Sequence, residues 1–113
     1  MFSIYNEIRV FIKDVYKLAD SLPKHEQFEL ASQLRRAATS ILLNLAEGSM
    51  KMSDAELNRH VIIAIGSAAE IVAILDICFD QKYINTFIHN AYMLKCEAIT
   101  KQLYGFSRKL KHK

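Results

Sequence analysis

A chain of 113 residues, 51% of them apolar, is long enough to close one hydrophobic core without disulfide or metal support. Three glycines and one proline leave few places to turn, which points to long helices, and the β-branched residues fall on helical rather than alternating spacing. The net charge of +3 is uneven: residues 101–113 hold five cations and no acid, so the first hundred residues carry ten basic and twelve acidic side chains.

Helix 1 is predicted from about Ile4 to Ser21, where Ile4, Ile8, Phe11, Val15, Leu18 and Leu22 recur every three or four residues. Pro23 ends it, because proline drives the residue before it out of the helical region, and the same ring suits the first turn of a new helix. Helix 2 is predicted from about Lys24 to Glu47, with a stripe of Leu30, Leu34, Ala37, Ile41 and Leu45. Gly48 follows as a left-handed cap. Ser53-Asp-Ala-Glu56 reads as a capping box that opens helix 3. Helix 3 extends to about Asp80, its seam of Leu57, Val61, Ala64, Ala68, Ile71, Leu75 and Cys78 alternating four and three as in a coiled coil. Asn85 caps helix 4, which turns Ile88, Tyr92, Ile99, Leu103, Phe106 and Leu110 inward. Long helices with short connections pack as antiparallel neighbours. The expected fold is therefore all-α: one domain over residues 1–113, an up-down-up-down four-helix bundle.

Helix 3 is apolar on more than one side, with Ile63, Gly66, Ser67, Glu70, Ile74 and Ile77 away from its seam. A helix that is apolar nearly all round is buried nearly all round, yet a four-helix bundle covers only one face. Single surface isoleucines are common. Three on one side, with small residues between them, favour a contact between subunits. Glu70 within that face needs a partner, and Arg35 and Arg36 are the candidates. On helix 2, Gln33, Arg36, Ser40, Asn44 and Glu47 share a narrow arc, with Leu43 among them. Serine and asparagine are indifferent helix formers. Their use points to hydrogen bonds across a packed contact, in preference to an active site.

None of His25, His60, His89 or His112 follows a glutamate by three residues, so the Glu-x-x-His pairs of di-metal bundles are missing. Glu56 and His60 are four apart and fit a surface pair as well as a ligand pair. There is no Cys-x-x-Cys, phosphate-cradling glycine loop or nucleophile elbow. Cys78 and Cys96 read as reduced core thiols of a cytosolic protein. The longest apolar run, Val61–Leu75, is broken by Glu70 and is short for a bilayer span. The expectation is a cytoplasmic chain that is not an enzyme and carries no cofactor or metal. The chemistry that remains is cationic. Lys101, Tyr104, Arg108 and Lys111 share one face of helix 4, with Lys109 beside them and Arg35 a further candidate on helix 2. Cations interleaved with an aromatic suit phosphates and a base, although the helix dipole also favours cations at a C-terminus.

Gln33-Leu-Arg-Arg-Ala-Ala-Thr-Ser-Ile-Leu-Leu-Asn-Leu-Ala-Glu-Gly48 resembles the signature of a bacterial family of four-helix-bundle proteins. That family includes proteins encoded in intervening sequences of 23S ribosomal RNA genes and the accessory variability determinant of diversity-generating retroelements. Leu22-Pro23 with Glu26, Ser53 with Glu56, and Ile63-Ala-Ile-Gly-Ser-Ala-Ala-Glu70 with Leu75 extend the resemblance over about residues 5–84. The resemblance implies a ring-shaped homopentamer and, for retroelement members, binding to a reverse transcriptase and to nucleic acid. Its matched positions are Arg35, Arg36, Ser40, Asn44, Glu47, Gly48, Gly66, Ser67 and Glu70. Glu29 stands where glycine is common and Leu42 where proline is common, departures that predict a straighter helix 2. The expected function is a homo-oligomer that binds RNA, DNA or a ribonucleoprotein partner. The alternative is a protein-interaction scaffold with no nucleic-acid contact.

Overall fold

The computed structural model describes residues 2–112, which form four α-helices and no strand. Helices α1 (Phe2–Ser21), α2 (Leu30–Ser49), α3 (Asp54–Asp80) and α4 (Thr86–Lys111) make a bundle of 45 × 24 × 19 Å. Side-chain pairs show that neighbours run antiparallel. Asp20 meets Arg35 between α1 and α2, Ser40 meets Ser67 between α2 and α3, and Asp76 meets His89 between α3 and α4. The α1–α4 contact closes the bundle and is the sparsest. It rests on Tyr92 Oη donating to the Asp14 carbonyl at 2.8 Å, an Asp14–Lys95 ion pair at 3.0 Å, and a Gln102–Glu7 hydrogen bond.

Two helix starts lie where the sequence places them. Ser53 is extended and its Oγ accepts the Glu56 N–H at 3.2 Å, while Asn85 Oδ1 accepts the Ile88 N–H at 2.8 Å. The predicted seam of α3 is buried from Val61 to Cys78, with Leu57 half-covered at its mouth. α3 ends in a Schellman motif. The N–H of Tyr83 reaches the Cys78 carbonyl and that of Lys82 the Phe79 carbonyl, with Lys82 in the left-handed region at φ 63°.

Helix 2 departs from its predicted bounds at both ends. After Pro23 the chain makes a single 3₁₀ turn, Lys24–Glu26, and α2 begins only at Leu30. The Gln27 amide explains the delay. It donates back to the carbonyls of Ala19 at 2.8 Å and Leu22 at 3.0 Å, satisfying the end of α1 and holding the linker as a corner. Glu29 therefore sits before the helix, at its N-cap, where it cannot straighten α2. Across the same end, Tyr83 Oη donates to Glu26 Oε2 at 2.9 Å, which pushes the phenol above its usual pKa.

Gly48 is not a left-handed cap. It has helical geometry, no glycine has positive φ, and α2 runs on through Ser49. Its role is proximity: a Cβ on Gly48 would stand 2.7 Å from His60 Cβ and 3.0 Å from Leu57 Cδ1. Absence of a side chain lets α2 and α3 meet there. Gly48→Ala should force the helices apart and destabilise the protein by about 1–3 kcal/mol, read as a lower urea midpoint at unchanged m-value.

Candidate functional site

The polar arc of α2 lies against α3 and is tied to it. Asn44 Nδ2 donates to the Ser40 carbonyl at 2.9 Å and to Ser40 Oγ at 3.1 Å, which leaves Asn44 Oδ1 facing His60 Nδ1 at 3.1 Å. An amide oxygen only accepts, so His60 Nδ1 carries the proton. The ring is 5% exposed, and its other nitrogen, Nε2, is buried without a hydrogen-bond partner. Ser67 Oγ lies 2.8 Å from Ser40 Oγ and completes the chain His60–Asn44–Ser40–Ser67. The suggested surface pairing of Glu56 with His60 is thus replaced by a buried contact with Asn44. The imidazole meets an amide rather than a hydroxyl, so this seam pairs no serine with a base. The network ties α2 to α3.

Outside the seam, Gln33, Arg36, Ala37, Ser40 and Glu70 line an open depression of about 430 Å³. The expected neutralisation of Glu70 by Arg35 or Arg36 does not occur among the described residues. Arg35 turns away to Asp20 and Gln27, both at 2.8 Å, and Arg36 makes no ion pair among the described residues. Adjacent helical positions point about 100° apart, so the two arginines serve different neighbours. The second face of α3 also needs correction. Ile74 is 3% exposed and belongs to the core, and Ser67 is buried against Ser40. Ile62, Ile63, Gly66, Glu70 and Ile77 do face outward, beside an exposed Leu43 on α2, with Glu47 also at the surface. Ile62, which the spacing of the apolar residues does not single out, belongs to this outer face. A Cβ built on Gly66 would meet nothing within 4 Å, so no contact inside the chain requires glycine there.

The C-terminal part of α4 is basic. α4 carries Lys95, Lys101, Arg108, Lys109 and Lys111 against Glu97 alone, while α3 carries Asp54, Glu56, Glu70, Asp76 and Asp80 against Arg59 alone. Lys101 pairs with Glu97 on its own helix at 2.9 Å, and Tyr104, Arg108, Lys109 and Lys111 are exposed. The last three make no ion pair among the described residues; Lys113 lies outside those residues. Ser107 Oγ donates to Asn58 Oδ1 at 2.6 Å and sets the last turns of α4 beside the first turns of α3. Lys51, in the α2–α3 turn, therefore joins this end, a cation that no helical face in the sequence could reveal. Arg35 does not join it. Its partner Asp20 lies at the far end of α1.

Among the described residues no group of three or more His, Cys, Asp or Glu side chains could hold a metal. Burial and then the Glu26 charge push the Cys78 thiol up to about 11, and burial pushes Cys96 to about 11. α3 is 27 residues long and, contrary to the sequence estimate, apolar enough to cross a membrane by length and composition. Half of its most apolar stretch is buried by its neighbours, and the central helix of a bundle meets the same test. Two outcomes check this description. Asn44→Ala leaves the buried His60 N–H without an acceptor and should cost about 1–3 kcal/mol in urea unfolding, with non-additive coupling to a substitution at His60. At pH 8 both native thiols should resist an aromatic disulfide reagent and react fast only in denaturant, because burial keeps them protonated.

No curated protein matches the chain. Among solved structures it is similar to a protein of unknown function from the S23 ribosomal protein family of Bacteroides thetaiotaomicron, with a TM-score of 0.85 and 22% identity. The match covers 92% of this chain and 97% of that one, and at this identity it supports the fold alone. Residues 2–105 match the family described as 23S rRNA-intervening sequence protein, and the chain belongs to that family.

Proposed function

We propose that this protein is a non-enzymatic, cytoplasmic homo-oligomer that binds nucleic acid, or a ribonucleoprotein partner such as a reverse transcriptase, through the basic end of α4. The observation that carries the reading is the segregation of charge: five cations against one acid on α4, with Arg108, Lys109 and Lys111 engaged by no carboxylate among the described residues. Cations left free at a surface suit phosphate oxygens, and the affinity they lend grows with the number of phosphates met.

Self-association through the outer edge of α2 and α3 is the second part of the proposal, with the ring-shaped homopentamer implied by the resemblance as its form. Leu43 (65% exposed), Ile62, Ile63 and Ile77 are too apolar together for a plain solvated face. Arg36 and Glu70 share one depression without bridging, which suits opposite charges on another subunit. Gly66 supports the same edge. Glycine inside a helix costs about 1 kcal/mol against alanine, and nothing within the chain uses the space it leaves.

Replacing Lys101, Arg108, Lys109 and Lys111 by alanine should leave the fold intact and weaken binding of a labelled structured RNA measured by anisotropy. Unchanged affinity would discard the assigned surface. For the native protein, log affinity should fall linearly with log salt. Association that ignores salt would favour the protein-interaction scaffold instead. Gly66→Ala separates folding from assembly. It should raise the stability of the dissociated chain by about 0.5–1 kcal/mol while lowering the mass seen in sedimentation. A stabilised chain with unchanged mass would remove this edge from the interface.

A further inference from the structure

The turn between α2 and α3 carries the most exposed apolar side chains at the basic end. Met52 is 99% exposed and Met50 82%, with Lys51 between them. The turn itself is well braced. The Met50 N–H reaches the carbonyls of Glu47 and Gly48, Lys51 N–H reaches the Gly48 carbonyl at 3.1 Å, and Ser53 caps α3 directly after. Among the described residues nothing covers the two thioethers, and hydrogen bonds on Met50 and Lys51 brace the backbone that presents them. The Asn58–Ser107 contact sets the register of α3 on α4, which places the α2–α3 turn at the same end of the bundle as the last turn of α4.

Resting on the proposed nucleic-acid reading, we infer that Met50 and Met52 contact bases while Lys51, Arg108, Lys109 and Lys111 hold the adjoining phosphates, so the ligand is a strand with unstacked bases. Thioether side chains are flexible and polarisable and pack well against aromatic rings. Continuous duplex hides base faces in its stack, and opening a step for an apolar wedge is costly. A single strand, loop or helix end offers those faces at no such cost. Glu56, in the first turn of α3, follows the turn closely. Its charge disfavours a phosphate backbone there and leaves the turn to the bases. The same carboxylate would oppose the headgroups of an anionic membrane, and two methionines offer little to insert into one, so a strand fits better than a lipid surface.

The test compares the native protein with the double variant Met50→Ser, Met52→Ser, on a single-stranded RNA and a blunt duplex of equal phosphate number. Both side chains lie outside the core, and circular dichroism checks that the variant keeps its helices. The native protein should bind the single strand roughly tenfold more tightly than the duplex, and the variant should lose that tenfold while duplex binding and salt slope stay constant. Met52→Trp should restore or exceed native single-strand affinity, since an indole stacks on bases. Equal single-strand binding by native and variant protein overturns the inference and leaves the proposed function standing. No RNA binding by native protein at low salt overturns both. Co-sedimentation with phosphatidylserine vesicles that depends on the methionines, without strand preference, reassigns the turn to a membrane and overturns the inference.

Discussion

The approach of α2 to α3 at Gly48 and His60 governs the rest of this bundle. With no side chain on Gly48, the His60 ring and Leu57 occupy space that any Cβ would deny them. That closeness buries an imidazole and obliges the fold to satisfy it, and Asn44 meets the obligation on one nitrogen only. Two turns along, Ser40 and Ser67 hold the helices together with hydroxyls rather than bulk, so the narrow separation persists. The polar chain therefore acts as a spacer and a register mark. A one-residue rotation of α3 would bury Glu70 and expose the seam, and it would also strand four hydrogen-bonding groups in the core.

Fixing the rotation of α3 fixes what the molecule shows to its surroundings. The inward faces of α3, Val61 to Cys78 and Ile74, are consumed by α2 and α4, and the outer edge with Ile62, Ile63, Gly66 and Ile77 is left uncovered. The Asn58–Ser107 and Asp76–His89 contacts then lock α4 alongside, so the acidic helix and the basic helix lie next to each other. Apolar edge and cationic end are separate surfaces. Each depends on the same buried contact for its position, and neither takes part in it.

Periodicity and capping chemistry are local, and they were legible. Ser53 and Asn85 cap where the sequence places them, and the stripe of α3 needs no partner to be recognised. What misled was information carried by another helix. A glycine at the end of an apolar stripe reads the same whether it caps the helix or yields to a neighbour, and Gly48 is decided by His60, twelve residues on. His60 read as a surface partner of Glu56 because their spacing is helical, whereas the competing partner, Asn44, comes from α2. Arg35 looked available for phosphate because the corner that presents Gln27 to it is invisible to propensity. Ile74 falls between the two faces of α3, and only the breadth of the α2–α3 contact assigns it to the core.

The cationic end is weak by itself. Three unpaired cations on α4 imply a salt slope of only about 2–3, and the acids of α3 stand close enough to blunt the field of a single copy. A surface of that strength becomes useful when it is repeated. In the proposed ring each copy would add the same phosphate contacts to one ligand, and after the first contact the others would act at a high effective concentration. Apolar association hardly responds to salt, whereas phosphate binding does, so such an assembly would stay intact while its grip on RNA was tuned by ionic strength. In this proposal the apolar edge of α2 and α3 serves assembly and the basic end of α4 serves phosphate binding. In such a ring, oligomerisation would supply the affinity that a lone subunit lacks, while the α2–α3 contact sets the orientation of both surfaces.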